Sequence, residues 1–163
     1  MLRALIGLAV LLSVGVPARA ATQTAGVQAN AVKPLTVTML QSLDLGSITL
    51  GPGNWSNATV SISRGGLFTC GTNVTCAGVT QVARYNVQGS NGQVVRISAP
   101  NVTMVNQSDP ARTLTLVVDA PASVTLTNSG SPGVNFSIGG AITVNSTTQA
   151  GLYVGTFNVT CDY

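Results

Sequence analysis

The chain has 163 residues, of which 45% are hydrophobic and only 7% are charged. This length suits one domain, and the hydrophobic content is sufficient for a packed core. An ordinary globular domain has about 25% charged residues, whereas this chain lacks histidine and glutamate and has seven basic residues against four acidic ones. The scarcity of Glu, Lys and Arg argues against an all-helical protein, and the lack of histidine excludes catalysis that requires one.

The first twenty residues have the pattern of a secretory signal peptide. Arg3 gives a positive start, residues 4–16 are an uninterrupted apolar run, and Ala18 and Ala20 are small residues at the positions that a signal peptidase recognises. This pattern predicts cleavage after Ala20 and export to the periplasm, the cell surface or the extracellular space. Because the apolar run is shorter than the ~20 residues that span a bilayer, we expect no transmembrane anchor in the mature protein.

The next segment, residues 21–34, alternates apolar and polar side chains. Its apolar positions are Ala25, Val27, Ala29 and Ala31. Alternation with period two is typical of a strand, and two interpretations of the segment remain open: the first strand of the protein's own sandwich, or a strand donated to another molecule. We expect the folded domain to occupy residues 35–163.

From residue 35 onward, alternation with abundant Val, Ile and Thr predicts a series of short strands. The alternating apolar sets are Leu35-Val37-Met39, Ala58-Val60-Ile62, Ala83-Tyr85-Val87, Val95-Ile97-Ala99, Leu114-Leu116-Val118 and Val134-Phe136-Ile138. Turns are predicted between them, at residues 51–54, 64–66, 89–92 and 128–133 and at Gly139-Gly140, because Gly and Pro favour turn conformations. Many short strands at close spacing indicate an all-β protein, either a sandwich or a small barrel.

The polar positions of these strands are mainly Thr, Ser, Asn and Gln, with few charges. Charged side chains are the usual protection of a sheet edge against pairing with another chain. A secreted β-protein with so few of them either closes its edges or has them occupied by another chain.

Three cysteines suit an exported protein. Cys70 and Cys76 enclose five residues, and this spacing predicts a disulfide that closes a short loop in an oxidising compartment. Cys161 is then the odd cysteine, and two states remain open for it: a buried free thiol on the last strand, or a pairing with one of the other two cysteines. Three thiols without histidine do not complete a zinc site, so we expect no metal and no cofactor.

The titratable residues offer little for catalysis. General acid–base chemistry needs two positioned titratable groups, but the four aspartates are far apart in sequence: Asp44, Asp109, Asp119 and Asp162. Without the leader, the chain has no basic, aromatic-rich patch of the kind that binds nucleic acid. We therefore expect a protein that is not an enzyme and has no nucleic-acid partner.

Trp55 stands in a polar loop, residues 53–57, and is the one aromatic side chain with an exposed setting in the sequence. One interpretation makes it a lid over the core. The other makes it a loop contact for a ligand, since loops on rigid scaffolds often carry function.

Three segments resemble a bacterial family known as domain of unknown function 4402. Residues 33–37 with 43–48 are similar to the opening of that family, residues 138–144 to its penultimate hairpin, and residues 149–160, which begin with Gln149 and contain Gly-x-Tyr-x-Gly-Thr-Phe, to its ending. The resemblance spans essentially the whole mature chain. It implies an exported bacterial protein with an immunoglobulin-like or pilin-like β-sandwich of short antiparallel strands, similar to fimbrial and spore-coat-like subunits, and it transfers no catalytic residues.

The resemblance also implies roles for the two ends of the chain. Tyr153, Phe157, Val159 and Tyr163 would be core side chains of the last strand, and Ala25, Val27, Ala29 and Ala31 would form the donated segment. We expect a structural or adhesive surface subunit that assembles by strand addition into a pilus- or coat-like polymer. Its partners would be itself or related subunits, a periplasmic chaperone and an outer-membrane usher. The alternative is a self-complete secreted sandwich that binds carbohydrate or a partner protein through its loops, with Trp55 as the contact.

Overall fold

A computed structural model of the protein describes residues 22–163, so the predicted signal peptide lies outside the described residues. The chain divides into an N-terminal unit ending at Asn30 and a second unit, Ala31–Tyr163. Residues 22–34 are exposed and form neither helix nor strand. The interpretation of this segment as the first strand of the sandwich is therefore not fulfilled. Three of its four alternating apolar side chains are alanines, which bury too little apolar area to offset the entropy of ordering the segment.

The second unit is built from antiparallel strands. They are β1 (Thr36–Gln41), β2 (Ser47–Leu50), β3 (Ala58–Ile62), β4 (Phe68–Thr69), β5 (Val74–Ala77), β6 (Ala83–Gln88), β7 (Val94–Ser98), β8 (Val102–Asn106), β9 (Thr113–Asp119), β10 (Ser123–Thr125), β11 (Val134–Val144), β12 (Tyr153–Val154) and β13 (Thr160–Asp162). Among the described residues, no helix is long and apolar enough to cross a membrane. The fold is all-β and sandwich-like, which confirms the predicted class.

Eight strands form one sheet in the order β1-β6-β11-β9-β8-β12, with β3 attached to β11 and β4 to β3. Two smaller sheets, β10-β7-β13 and β2-β5, complete the unit. The long strand β11 links the parts of the large sheet, because residues 134–138 pair with β6 while residues 140–144 pair with β3.

Two hydrophobic cores lie along β11. The first core contains Ala83, Tyr85, Val87, Val95, Ile97, Leu126, Phe136 and Ile138. The second core contains Leu45, Ala58, Val60, Ile62, Leu116, Ile142 and Val144. The first half of β11 therefore packs with β6 and β7, and its second half packs with β3 and β9.

Gly139 and Gly140 do not form the predicted turn, nor do residues 138–144 form a hairpin. Both glycines lie buried inside the continuous strand β11. A Cβ on Gly139 would stand 2.2 Å from the Ile62 carbonyl oxygen, and one on Gly140 would stand 2.8 Å from Leu116 Cδ1. The glycines are needed because neighbouring strands approach β11 closely on both sides, and such close approach is the other common role of glycine in a sheet.

The C-terminal segment does not form the single last strand that the resemblance had implied. Strand β12 pairs with β8 in the large sheet, whereas β13 pairs with β7 in a small sheet. Residues 155–159 form no strand, and in this stretch Phe157 packs against both cores. The chain thus crosses from one sheet to another and contributes to both halves of the unit.

Candidate functional site: an apolar groove

A groove of about 960 Å³ opens beside the second core. One wall is formed by residues 42–50, which include β2, and the other by residues of the segment 148–157, which includes β12. The floor carries Tyr85, Met104, Leu114, Leu116, Ile142 and Val144. The floor therefore joins buried side chains of the second core to the half-buried Met104 and Leu114, between two strand-bearing walls.

The wall of residues 42–50 presents main chain as well as side chains to the groove. All residues from 42 to 50 line it in succession, although alternate side chains of a strand point to opposite faces. Strand β2 pairs only with β5, and β12 is the last strand of the large sheet, paired only with β8. Each wall thus has an edge with no strand partner in the described chain.

The lining of the groove is almost free of charge, with Asp44 as its one charged residue. The carboxylate of Asp44 accepts a hydrogen bond from the Gly46 N–H at 2.8 Å, and its main chain pairs with Gln81 in an isolated bridge. Two apolar side chains stand at the groove with most of their surface in solvent: Met39 is 62% exposed and Leu152 is 68% exposed. Exposed apolar surface of this kind commonly marks an interaction site.

Hydrogen bonds from one buried and one half-buried side chain position the wall that contains Leu152. Asn106 is fully buried, and its side-chain amide donates to the Ala150 carbonyl at 3.2 Å while its Oδ1 accepts from the Ser108 N–H at 2.8 Å. The Tyr153 hydroxyl donates to the Gln149 carbonyl at 2.8 Å. The contact of Asn106 with Ala150 could not be inferred from the sequence, because the two residues are 44 positions apart.

The predicted disulfide is present and braces the opposite wall. Cys70 and Cys76 are bonded, with sulfur atoms 1.97 Å apart. Cys76 stands opposite Ile48 in the β2–β5 pair, so the bond ties the groove wall to the end of β4. Cys161 is a half-buried free thiol. Burial, followed by the negative charge of Asp162, raises the pKa of the Cys161 thiol above its ordinary value, which favours the unreactive thiol form.

The predicted C-terminal core residues fall into different environments. Tyr153 and Phe157 line the groove, and Val159 packs against the first core. Tyr163 is 38% exposed and lies outside the cores, contrary to its predicted role. A terminal tyrosine can place its polar hydroxyl at the surface while its ring covers apolar atoms.

The Tyr163 hydroxyl joins three parts of the chain far from the groove. It accepts a hydrogen bond from the Ser90 N–H at 2.9 Å and donates one to the Lys33 carbonyl at 2.5 Å. The Lys33 N–H donates to Ser90 Oγ at 2.6 Å. We call these three residues the terminal clasp, since they hold the entry to β1 against the turn after β6.

The structure also gives the environments of two other predicted site residues, Trp55 and Val27. Trp55 is half-buried, packs against the second core and donates from Nε1 to the Gly51 carbonyl at 3.2 Å, as a lid would. In the exposed N-terminal stretch, Val27 has 92% of its surface in solvent. Within the described residues, no group of three or more His, Cys, Asp or Glu is placed to hold a metal ion.

Comparisons with known proteins identify one match. The model of a family described as a domain of unknown function, DUF4402, matches residues 35–163. No curated protein matches, and no solved structure matches. The matched range begins at the predicted start of the folded domain.

Proposed function

We infer that this chain, which belongs to the DUF4402 family, is a non-enzymatic structural or adhesive subunit of the cell surface that assembles by strand addition. The observation that carries the proposal is the apolar groove with a strand edge free on each side. An extended segment of another chain would lie between the walls and complete the sheet structure there.

Strand addition fits the groove better than binding of a small polar ligand. The edges of β2 and β12 offer main-chain N–H and C=O groups, which give affinity for an extended peptide, and the apolar floor accepts alternate side chains of that peptide. A lining with Asp44 as its one charge lacks the repulsive groups that usually protect edges.

Two further features support a surface role. The Cys70–Cys76 bond suits an oxidising compartment outside the cytoplasm, in agreement with the leader pattern of residues 1–20. Two of the four acids take part in exposed ion pairs: Asp119 lies 3.8 Å from Arg64, and Asp109 lies 3.5 Å from Arg112. We therefore propose export, with related subunits, a periplasmic chaperone and an outer-membrane usher as the class of partners.

The test is the native mass of the secreted protein under non-reducing conditions, together with electron microscopy. We expect assemblies larger than a monomer for the wild type. The substitution Leu152→Asp should abolish them, because a carboxylate would enter an apolar contact, where an unpaired charge is costly.

Leu67→Asp is the matched control, since Leu67 is 73% exposed and lies outside the groove. It should assemble like the wild type. A wild type that stays monomeric at every concentration, or assemblies unaffected by Leu152→Asp, would contradict the proposal.

A further inference from the structure

We propose that the strand filling the groove consists of residues 25–31 of a second copy of this chain, an inference that rests on the proposed function of the groove. The occupant is thus identified as an internal part of the same protein, and assembly needs no other donor.

The composition of the segment matches the groove. Residues 22–32 contain no charged side chain, and the groove lining has only Asp44, so insertion buries no additional charge. In an extended conformation the side chains of Ala25, Val27, Ala29 and Ala31 share one face. That face would meet the apolar floor, while Gln28 and Asn30 would face solvent.

The small side chains of the segment suit a groove whose floor is already occupied by larger ones. Met104, Leu116 and Ile142 fill the floor, and alanines above them would let the inserted backbone approach both walls. Close approach is required because pairing with the edges of β2 and β12 needs strands about 4.8 Å apart. Seven residues in a strand span about 23 Å, an ordinary strand length.

The exposure of the segment shows that it is free to be donated. Residues 22–32 are exposed and belong to no strand in the described chain. An alternating apolar segment without a partner can pair with an unoccupied strand edge.

The terminal clasp determines where the segment leaves the folded unit. Strand β1 runs from Thr36, which pairs with Gln88, to Gln41, which pairs with Arg84. Met39, in the second half of β1, lines the groove. At the start of β1, the clasp holds Lys33 against Ser90 and Tyr163. The donor segment is therefore rooted at the end of β1 that lies away from Met39 and the groove.

This separation predicts the type of assembly. Groove and donor root use different surfaces of the molecule, so each contact joins unlike faces. Contacts of this heterologous type form rings or open filaments. A head-to-tail assembly is expected.

The first experiment deletes residues 22–32 from the full chain. The deletion variant should be monomeric, and a synthetic peptide of residues 22–32 should bind it with a stoichiometry of one to one. A matched peptide with Val27→Asp should bind at least about tenfold more weakly, because a carboxylate would enter the apolar floor. Circular dichroism and an intact Cys70–Cys76 bond would verify that the deletion variant is folded.

The second experiment uses two chains, both carrying Cys161→Ser. One chain carries Met104→Cys on the floor, and the other carries Val27→Cys. Oxidation of the mixture should give a disulfide-linked dimer, identified by mass spectrometry. Gln28→Cys in place of Val27→Cys is the control and should give several-fold less, since neighbouring residues of a strand face opposite ways.

The outcomes separate this inference from the function on which it rests. If the deletion variant assembles like the wild type while Leu152→Asp does not, another chain fills the groove and the present inference is wrong. Equal binding of the two peptides, or equal cross-linking at positions 27 and 28, would also overturn it. If neither the deletion nor Leu152→Asp affects assembly, the proposed function itself fails.

Discussion

Strand β11 contributes to both hydrophobic cores, and the two cores differ in what covers them. In the first core, the large sheet faces the β10-β7-β13 sheet, and Val87, Val95 and Ile138 have no exposed surface. In the second core, β2 and β5 cover only part of the large sheet, and the groove opens beside Leu116 and Ile142.

The difference indicates that the two halves of the folded unit have different roles. The half around the first core, here the closed half, removes most of its apolar side chains from water without help, so it contributes to the stability of the monomer. The half around the second core, here the open half, leaves apolar surface at the groove on the half-buried Met104 and Leu114 and the exposed Leu152. Burial of this surface contributes free energy only when a partner strand arrives, at about 25 cal/mol per Å². Stability and assembly can therefore be altered separately by substitution.

The largest contrast is expected from truncating one side chain in each half. Phe136 is 6% exposed and lies in the closed core, so Phe136→Ala should reduce the free energy of unfolding by about 3–5 kcal/mol. Leu114 is half-buried beside the groove, and Leu114→Ala should cost less than about 2 kcal/mol because its neighbours can relax. Urea unfolding of the monomeric deletion variant measures both. Equal losses would remove the distinction between the halves.

The close packing of β11, the strand shared by the two halves, can be tested by substituting its glycines. Gly139→Ala places a methyl group against the Ile62 carbonyl, and we expect a loss of about 3 kcal/mol in the free energy of unfolding. Gly65→Ala is the control, since its Cβ would contact only Ser63 Oγ at 3.7 Å, and it should change stability by less than about 0.5 kcal/mol. A fully tolerated Gly139→Ala would mean that β11 does not hold the halves together by close packing.

The sequence predicted those parts of the fold that depend on local patterns. Alternation placed strands at β3, β6, β7 and β9, because one buried face imposes period two on the side chains. The spacing of Cys70 and Cys76 likewise indicated a loop short enough to close. The predicted turn at Gly139 was wrong. A glycine that is required for the close approach of a distant strand cannot be told from a turn glycine in the sequence.

The groove could not be predicted from sequence, because its walls come from segments about one hundred residues apart. Residues 42–50 and 148–157 meet through strand pairings that local periodicity does not encode. The resemblance did direct attention to Tyr153 and Phe157, which line the groove. It gave the wrong environment for Tyr163, whose contacts with Lys33 and Ser90 depend on the position of the chain end in the fold.

Removal of the disulfide should affect the open half more than the closed half. Closing so short a loop restricts the unfolded chain by about 2 kcal/mol in the chain-entropy model, so Cys70→Ser with Cys76→Ser should lower the free energy of unfolding by that amount. Hydrogen exchange should accelerate in β2 and β5, which form the braced wall, and stay slow in β6. Cys161→Ser leaves the wall intact and serves as the control. Uniform acceleration in all three strands would contradict a local role of the bond.

The smallest expected loss of stability comes from removing one tyrosine hydroxyl, either at the terminal clasp or at the groove wall. Tyr163→Phe removes the hydroxyl that bridges Ser90 and Lys33, and it should lower the free energy of unfolding by about 1 kcal/mol. Tyr153→Phe is the matched variant, because it removes a single hydrogen bond to Gln149 at the groove wall. Hydrogen exchange should then rise around Lys33 and Ser90 in the first variant and around residues 149–152 in the second. The clasp roots the donor segment, so its effect on donation can be measured with chains that only donate or only accept. Donor chains that carry Leu152→Asp and Tyr163→Phe should bind the 22–32 deletion variant more slowly than donors that carry Leu152→Asp alone if the fixed root orients the outgoing strand, and equal rates would reduce the clasp to a stabilising contact.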